Sequence, residues 1–176
     1  DAGGRIDLVY DGLPYPNGQT YFGGTQDNGT NRGTDVAGPN AWARINGGDG
    51  GYVGVNPTNT NTLFFETTGL SLRRSTNGGA SSASVITGIA GDTFPFITVF
   101  RMDPTTPTRL WIGGRFMWRT DNNATNWTRT SNAQQTGGSI TAMAIAPTNS
   151  NTVIDGAASG QLRRTTIGLT ANAASV

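Results

Sequence analysis

Arg119-Thr120-Asp121-Asn122-Asn123-Ala124-Thr125-Asn126-Trp127-Thr128 decides the reading of this chain, because shorter versions of it recur at a fixed distance on both sides. Forty-five residues earlier stands Arg74-Ser75-Thr76-Asn77-Gly78-Gly79, and forty-five later stands Arg164-Thr165-Thr166-Ile167-Gly168. A period of that length is the signature of a repeat architecture. Each copy reads as a hairpin turn: a short amide folds back on nearby backbone N–H groups, a small residue permits an unusual backbone angle, and in the fullest copy an aromatic pins the turn to a sheet.

A second pattern repeats with the first. Pro57, Pro104 and Pro147 are each followed by Thr, with Leu63, Leu110 or Val153 six residues beyond each Pro. A run that reads as a strand precedes each of them, so a unit is strand, Pro-Thr loop, strand, turn, strand, marker turn, strand. Four short antiparallel strands per unit make a propeller blade. Many of these strands are apolar on successive residues, which implies burial on both faces, as stacking between neighbouring blades requires. With 176 residues the chain holds roughly four repeats, expected at 1–50, 51–95, 96–138 and 139–176. The turn at Gln26-Asp27-Asn28-Gly29 is read as the marker of the first repeat. The fold class expected is all-β, a propeller of about four blades belonging to a larger ring, with almost no helix.

The marker resembles the Asp-box, or bacterial neuraminidase repeat, whose pattern is Ser/Thr-x-Asp-x-Gly-x-Thr-Trp. Asn77 and Asn122 stand where that family has Asp, Ala124 replaces Gly in one copy, and Ile167 replaces the acidic residue in the last. The resemblance implies a propeller of the kind found in sialidases, xyloglucanases and sortilin-like receptors, with the marker turns remote from the working face.

Composition removes whole chemistries. All twelve basic residues are Arg; Lys, His and Cys are absent, and Glu66 is the only Glu. There is no thiolate, imidazole base, Schiff-base lysine or His/Cys metal site. A net charge of +1 offers no electrostatic case for nucleic acid, and no apolar run approaches the roughly 20 residues of a membrane span. The polar, Lys-free surface leans towards an extracellular or periplasmic setting. No cofactor is expected. Calcium is the alternative, with Asp27, Asn31 and Asp35 as oxygen donors.

Asp27 and Asp49 are the most distinctive carboxylates, each flanked by glycines that let backbone approach closely. A pair of carboxylates can do glycosidase acid and base work at separations of roughly 5 to 9.5 Å; the plainer reading is that each caps its own bend. Gln26, Asp27 and Asp49 are candidate ligand contacts. Trp42 and Trp118 are candidate sugar-stacking platforms, and Arg115, outside the repeat register, is a candidate cation for a ligand. Arg74, Arg119 and Arg164 recur at one structural position per blade, which argues against their converging on one ligand. Scattered acids without His or Lys favour a non-catalytic binding or scaffolding module contacting protein or glycan. The alternative is a fragment or divergent member of a glycoside hydrolase. The apolar strands at both ends predict that something covers the end blades: missing blades, a second copy or a larger complex.

Overall fold

The computed structural model describes residues 8–131 and 138–174. Fifteen strands and no helix make up its regular structure among the described residues, as Gly, Asn and Thr at frequent turns dictate. The first blade contains β1 (Val9–Pro14), β2 (Thr20–Thr25), β3 (Gly29–Thr34) and β4 (Trp42–Asn46). The second contains β5 (Val53–Val55), β6 (Leu63–Glu66), β7 (Leu72–Ser75) and β8 (Ala83–Ser84). The third contains β9 (Phe100–Met102), β10 (Leu110–Gly113), β11 (Met117–Thr120) and β12 (Thr128–Arg129). The fourth contains β13 (Ile140–Ala146), β14 (Asn149–Ala157) and β15 (Leu162–Thr165). Every sheet is a simple antiparallel meander in sequence order, and the first strands of consecutive blades touch, so β1, β5, β9 and β13 form the inner edge of the stack. This is an all-β propeller of four small blades. No helix of the described residues is long and apolar enough to cross a membrane.

The core lies between blades. Phe22, Leu63 and Phe65 close the first seam, Phe64, Phe100 and Ile112 the second, and Val99, Trp111 and Val153 the third. Neighbouring residues of one strand thus serve opposite seams: Phe64 faces the third blade while Phe65 faces the first. That explains the unbroken apolar runs of the second and third blades, since a blade between two others has no solvent face.

Three arginines clasp these seams. Arg32 donates to the Gly78 carbonyl at 2.6 Å and Arg74 to the Asn123 carbonyl at 2.5 Å. Arg119 donates in the same way to the Gly168 carbonyl. Each arginine sits on the third strand of its blade opposite a bulky apolar residue, Phe22, Phe64 or Trp111, and each acceptor lies in the outer turn of the following blade. The recurrence of these arginines is therefore structural.

The marker turns have a shared chemistry. The Ser75 hydroxyl oxygen accepts from the Gly79 N–H at 2.9 Å, and the Asn77 side-chain carbonyl accepts from the Ser81 N–H at 2.9 Å. Thr120 and Asn122 repeat the arrangement towards Ala124 and Thr125. Gly78 and Gly79 have φ of 66° and 93°, and Asn123 and Ala124 occupy the same left-handed region at 57° and 60°. Trp127 is buried and donates its indole N–H to the Val85 carbonyl of the second blade at 2.7 Å.

One marker is misplaced in the sequence reading. Asp27 lies in the β2–β3 turn, whereas Asn77 and Asn122 lie in the turns after the third strands, at the opposite end of the blade. The equivalent turn of the first blade follows Thr34, whose hydroxyl oxygen accepts from the Ala37 N–H at 3.2 Å. Thr34 lacks the Asn two residues on that makes the pattern visible in sequence, and Asp35 and Val36 stand there instead.

Replacing Asn122 with Ala removes the side-chain oxygen that accepts from the Thr125 and Asn126 N–H groups and is expected to cost about 1 kcal/mol of stability without altering any ligand binding. Denaturant unfolding of Asn122→Ala beside a binding assay checks both halves.

Candidate functional site

At the end of the stack opposite the marker turns, two glycine-rich segments interlock. A Cβ on Gly24 would fall 2.0 Å from the Gly51 carbonyl oxygen, and one on Gly50 would fall 2.3 Å from the Gly29 carbonyl oxygen. Only hydrogen fits at these positions, so the β2–β3 turn and the segment leading into β5 lie backbone against backbone. The Gly50 N–H donates to the Thr25 carbonyl at 2.9 Å.

That junction brings Asp27 and Asp49 together. One carboxylate oxygen of Asp49 accepts from the Asp27 N–H at 2.7 Å, and Asp27 itself stands at φ 62°. Standard bond lengths keep a side-chain carboxyl within about 4 Å of its own backbone nitrogen, so the two carboxyl groups lie within about 7 Å of each other. Asp27 is exposed and Asp49 half-buried. Gln26 is fixed beside them: its N–H donates to the Leu8 carbonyl and its side-chain oxygen accepts from the Tyr10 hydroxyl at 3.1 Å.

A second group extends from this pair to the inner edge. Asp11 on β1 accepts from the Val53 N–H at 3.2 Å and pairs with Arg101 on β9 at 3.4 Å. The Arg101 guanidinium lies 4.5 Å from the centre of the Tyr52 ring. Burial raises the Tyr52 phenol above its ordinary value, against the opposing charge of Arg101. Asp11, Tyr52 and Arg101 thus come from three successive blades, and Tyr52 follows Asp49 by three residues.

Beneath the junction lies Glu66, with no exposed surface and, among the described residues, no hydrogen-bond partner for either carboxyl oxygen. A Cβ on Gly51 would fall 1.7 Å from one of those oxygens. Burial pushes the Glu66 carboxyl up to about 8; backbone N–H groups of Thr98 and Tyr52 partly oppose the rise without reaching hydrogen-bond geometry. Counted two residues on from the bulky residue opposite each clasp arginine, the four blades carry Gly24, Glu66, Gly113 and Gly156. Three blades place glycine where the second places its carboxyl.

The remaining candidates lie elsewhere. Trp42 is 49% exposed, but it lies over Gly33 on the outer face of the first blade, near the marker-turn end. Arg115 is exposed in the β10–β11 turn, where its N–H donates to Asp92 at 2.9 Å. Trp118 is corrected: it is buried, and its indole N–H donates to the same Asp92 at 2.8 Å, so no sugar can stack on it. The calcium set is also corrected. Strand β3 separates Asp27 from Asp35 by about 20 Å, too far for one ion.

Sequence reasoning missed Asp11, Arg101, Asp92 and Glu66. Asp11, Arg101 and Asp92 are distant in sequence from what they touch. Glu66 left a trace, the interruption of a glycine series, but the series is visible only once strands are in register.

No described protein family matches the chain, and no curated sequence matches it. Among solved structures it is similar to an ancestral GH74 enzyme (TM-score 0.69, 18% identity, covering 92% of this chain and 23% of that one). It is also similar to the GH74 xyloglucanase from Xanthomonas campestris (TM-score 0.64, 16% identity, 97% and 29%). A third is the GH74 enzyme of Niastella koreensis (TM-score 0.56, 17% identity, 97% and 36%). The chain spans between 23 and 36% of the length of these proteins. At such identities the likeness is one of fold. Two expectations are corrected by it. Assignment to the Asp-box, bacterial neuraminidase repeat family gives way to structural kinship with GH74 enzymes, and the preference for a non-catalytic module gives way because all three of these structures are of enzymes.

The folded-state value of about 8 for Glu66 stands above its ordinary 4.5. Its contribution to stability is therefore fully present below about pH 4.5 and is lost as pH rises towards 8, at about 1.4 kcal/mol per unit. Asp103 and Asp121, which hydrogen bonds hold below their ordinary values against burial, act only beneath that window. Unfolding free energies measured from pH 4.5 to 9 should fall for the native chain and stay level for Glu66→Gln; equal slopes for the two would refute the assignment.

Proposed function

We propose that this chain is the propeller portion of a glycoside-hydrolase-type protein that acts on a polymeric glycan, with Asp27 and Asp49 as its working carboxylates. The observation carrying the reading is the 2.7 Å bond from the Asp27 N–H to Asp49, which brings two acids from separate segments to one exposed rim. A separation within about 7 Å suits a pair in which one carboxyl group protonates the leaving oxygen while the other attacks or activates water. Kinship of fold with GH74 enzymes, one of them a xyloglucanase, supports β-linked glucan backbones as the first substrates to try. Fold kinship alone would not carry this, because propellers host many functions.

In this reading Gln26 and Asp49 orient the sugar next to Asp27, and Arg101, with Tyr52 against it, marks where the glycan would approach the inner edge. Arg115 and Trp42, remote from the pair, serve as outlying contacts at most. A polymeric glycan substrate goes with an extracellular or periplasmic protein. The length of the related enzymes goes with further protein completing the site.

Assayed on xyloglucan and on undecorated β-glucan, Asp27→Asn and Asp49→Asn should each lower hydrolysis at least about 100-fold, the range of removing an acid or base catalyst, with unfolding midpoints close to that of the native chain. Native chain that binds these glycans without cleaving them would reduce the pair to a binding role. A full-length protein containing this chain that neither binds nor cleaves these glycans would overturn the proposal.

A further inference from the structure

A wholly buried carboxyl lies directly under the segment that carries Asp49. Glu66 has no exposed surface, and neither of its carboxyl oxygens finds a partner among the described residues. Its backbone is bonded to the same segment that its side chain touches: the Gly51 N–H donates to the Glu66 carbonyl at 2.8 Å, and the Glu66 N–H donates to the Tyr52 carbonyl at 2.9 Å. A Cβ on Gly51 would strike a Glu66 carboxyl oxygen, so the side chain reaches up to the Gly51 backbone itself. The other blades carry Gly24, Gly113 and Gly156 at this register, so blade stacking does not require a carboxyl here. A buried acid without a partner is a cost to the fold, and one that packing does not demand calls for a functional explanation.

The two sides of this carboxyl differ in freedom. On the third-blade side, Thr98 is fully buried and its hydroxyl donates to the Gly69 carbonyl at 2.5 Å, while the Gly69 N–H donates to the Phe96 carbonyl at 2.7 Å. On the other side runs Gly47-Gly48-Asp49-Gly50-Gly51, where the glycines leave the backbone easy to shift. Two bonds fasten this run to the first blade, from the Gly50 N–H to the Thr25 carbonyl at 2.9 Å and from the Asp27 N–H to Asp49 at 2.7 Å. The titratable and charged groups around Glu66 are Tyr52, in the segment before β5, and across the Tyr52 ring Arg101 on β9 and Asp11 on β1. Burial raises the Tyr52 phenol above its ordinary value, so it stays neutral while Glu66 titrates. Leu72, opposite Glu66 on β7, and Ile97 and Thr98 before β9 bring no charge.

We propose that Glu66 is a positioning residue for Asp27 and Asp49: while it is neutral, Gly51 rests on it and the junction is closed, and when it ionises, the Gly50–Gly51 segment shifts and carries Asp49 away from the Asp27 N–H. A buried charge without donors is unstable. On losing its proton to solvent the carboxyl therefore draws in water, and the glycine run is the side that gives way. The closed junction holds a proton that the open, hydrated one releases. Between the ordinary 4.5 and about 8, each pH unit thus makes opening about tenfold more favourable, with no further change below or above that window. The proposal rests on the glycan reading only for its consequence in hydrolysis, because the movement itself is measured without glycan.

Amide hydrogen exchange read by mass spectrometry, on the full-length protein containing this chain and corrected for the intrinsic pH dependence of exchange, tests it. Peptides covering residues 24–30 and 47–52 should be less protected than β10 in the core. Their protection should fall about tenfold per unit from about pH 5 to 8 in the native protein. In Glu66→Gln, which keeps the shape and cannot ionise, it should stay level. Where the native protein cleaves glycan, Glu66→Gln should retain at about pH 9 the hydrolysis that the native protein loses. The same pH dependence in both proteins would overturn the proposal. So would protection of the two peptides equal to that of β10 at every pH, since they would then open only with the whole fold. Should Glu66→Gln fail to fold, the native profile decides alone: a tenfold fall per unit in the two peptides, below the protection of β10, supports the proposal, and a level profile overturns it. Absence of cleavage would count against the glycan reading and leave the exchange result standing.

Discussion

Face-to-face burial of one blade on the next, fastened by an arginine reaching into the following blade's outer turn, is the constraint on which everything else in this structure depends. A four-stranded blade is too small to hide its own apolar residues. Phe64, Phe65 and Trp111 have no exposed surface, yet each owes that burial to strands from two blades. Burying such a side chain stabilises by roughly 1.5–3 kcal/mol, so most of the favourable term belongs to seams and little to any blade alone, as in other repeat architectures. The arginines fasten each seam at an equivalent point, a guanidinium on the third strand of one blade donating to a backbone carbonyl in the outer turn of the next.

The candidate site is a by-product of that stacking at the other end of the blades. Glycines at Gly24, Gly50 and Gly51 let two backbones meet with nothing between them, and the meeting delivers Asp49 to the backbone of Asp27. The same closeness has a consequence in the second blade, where Glu66 is driven under Gly51 without a partner. An unpaired buried carboxyl is costly unless it is protonated, and the rise of Glu66 to about 8 is that cost expressed as proton affinity. Three blades avoid it with glycine. The second carries it directly below the junction that holds Asp27 and Asp49, so the part of the molecule that presents acids to solvent also stores an acid out of reach of it.

The sequence by itself determined the repeat, the strand-rich class, the number of blades and the turn chemistry of Ser75–Asn77 and Thr120–Asn122, because each of these rests on residues close together in the chain: a hydroxyl, an amide two positions on, a small residue after it. It also singled out Asp27 and Asp49 through their glycines. It misjudged Trp118, since exposure depends on what a neighbouring strand and Asp92 bring to it, and it misplaced the first marker, since a hairpin with Asp-Asn-Gly looks the same at either end of a blade. Tertiary structure alone decided which face of each strand meets which neighbour, and hence that Arg101, Asp11 and Tyr52 converge from three blades and that Glu66 is buried with no hydrogen-bond partner among the described residues. The physical reason is that local turn geometry is encoded within about five residues, whereas burial and pairing across a seam are properties of residues some 45 positions apart that become neighbours only when blades stack.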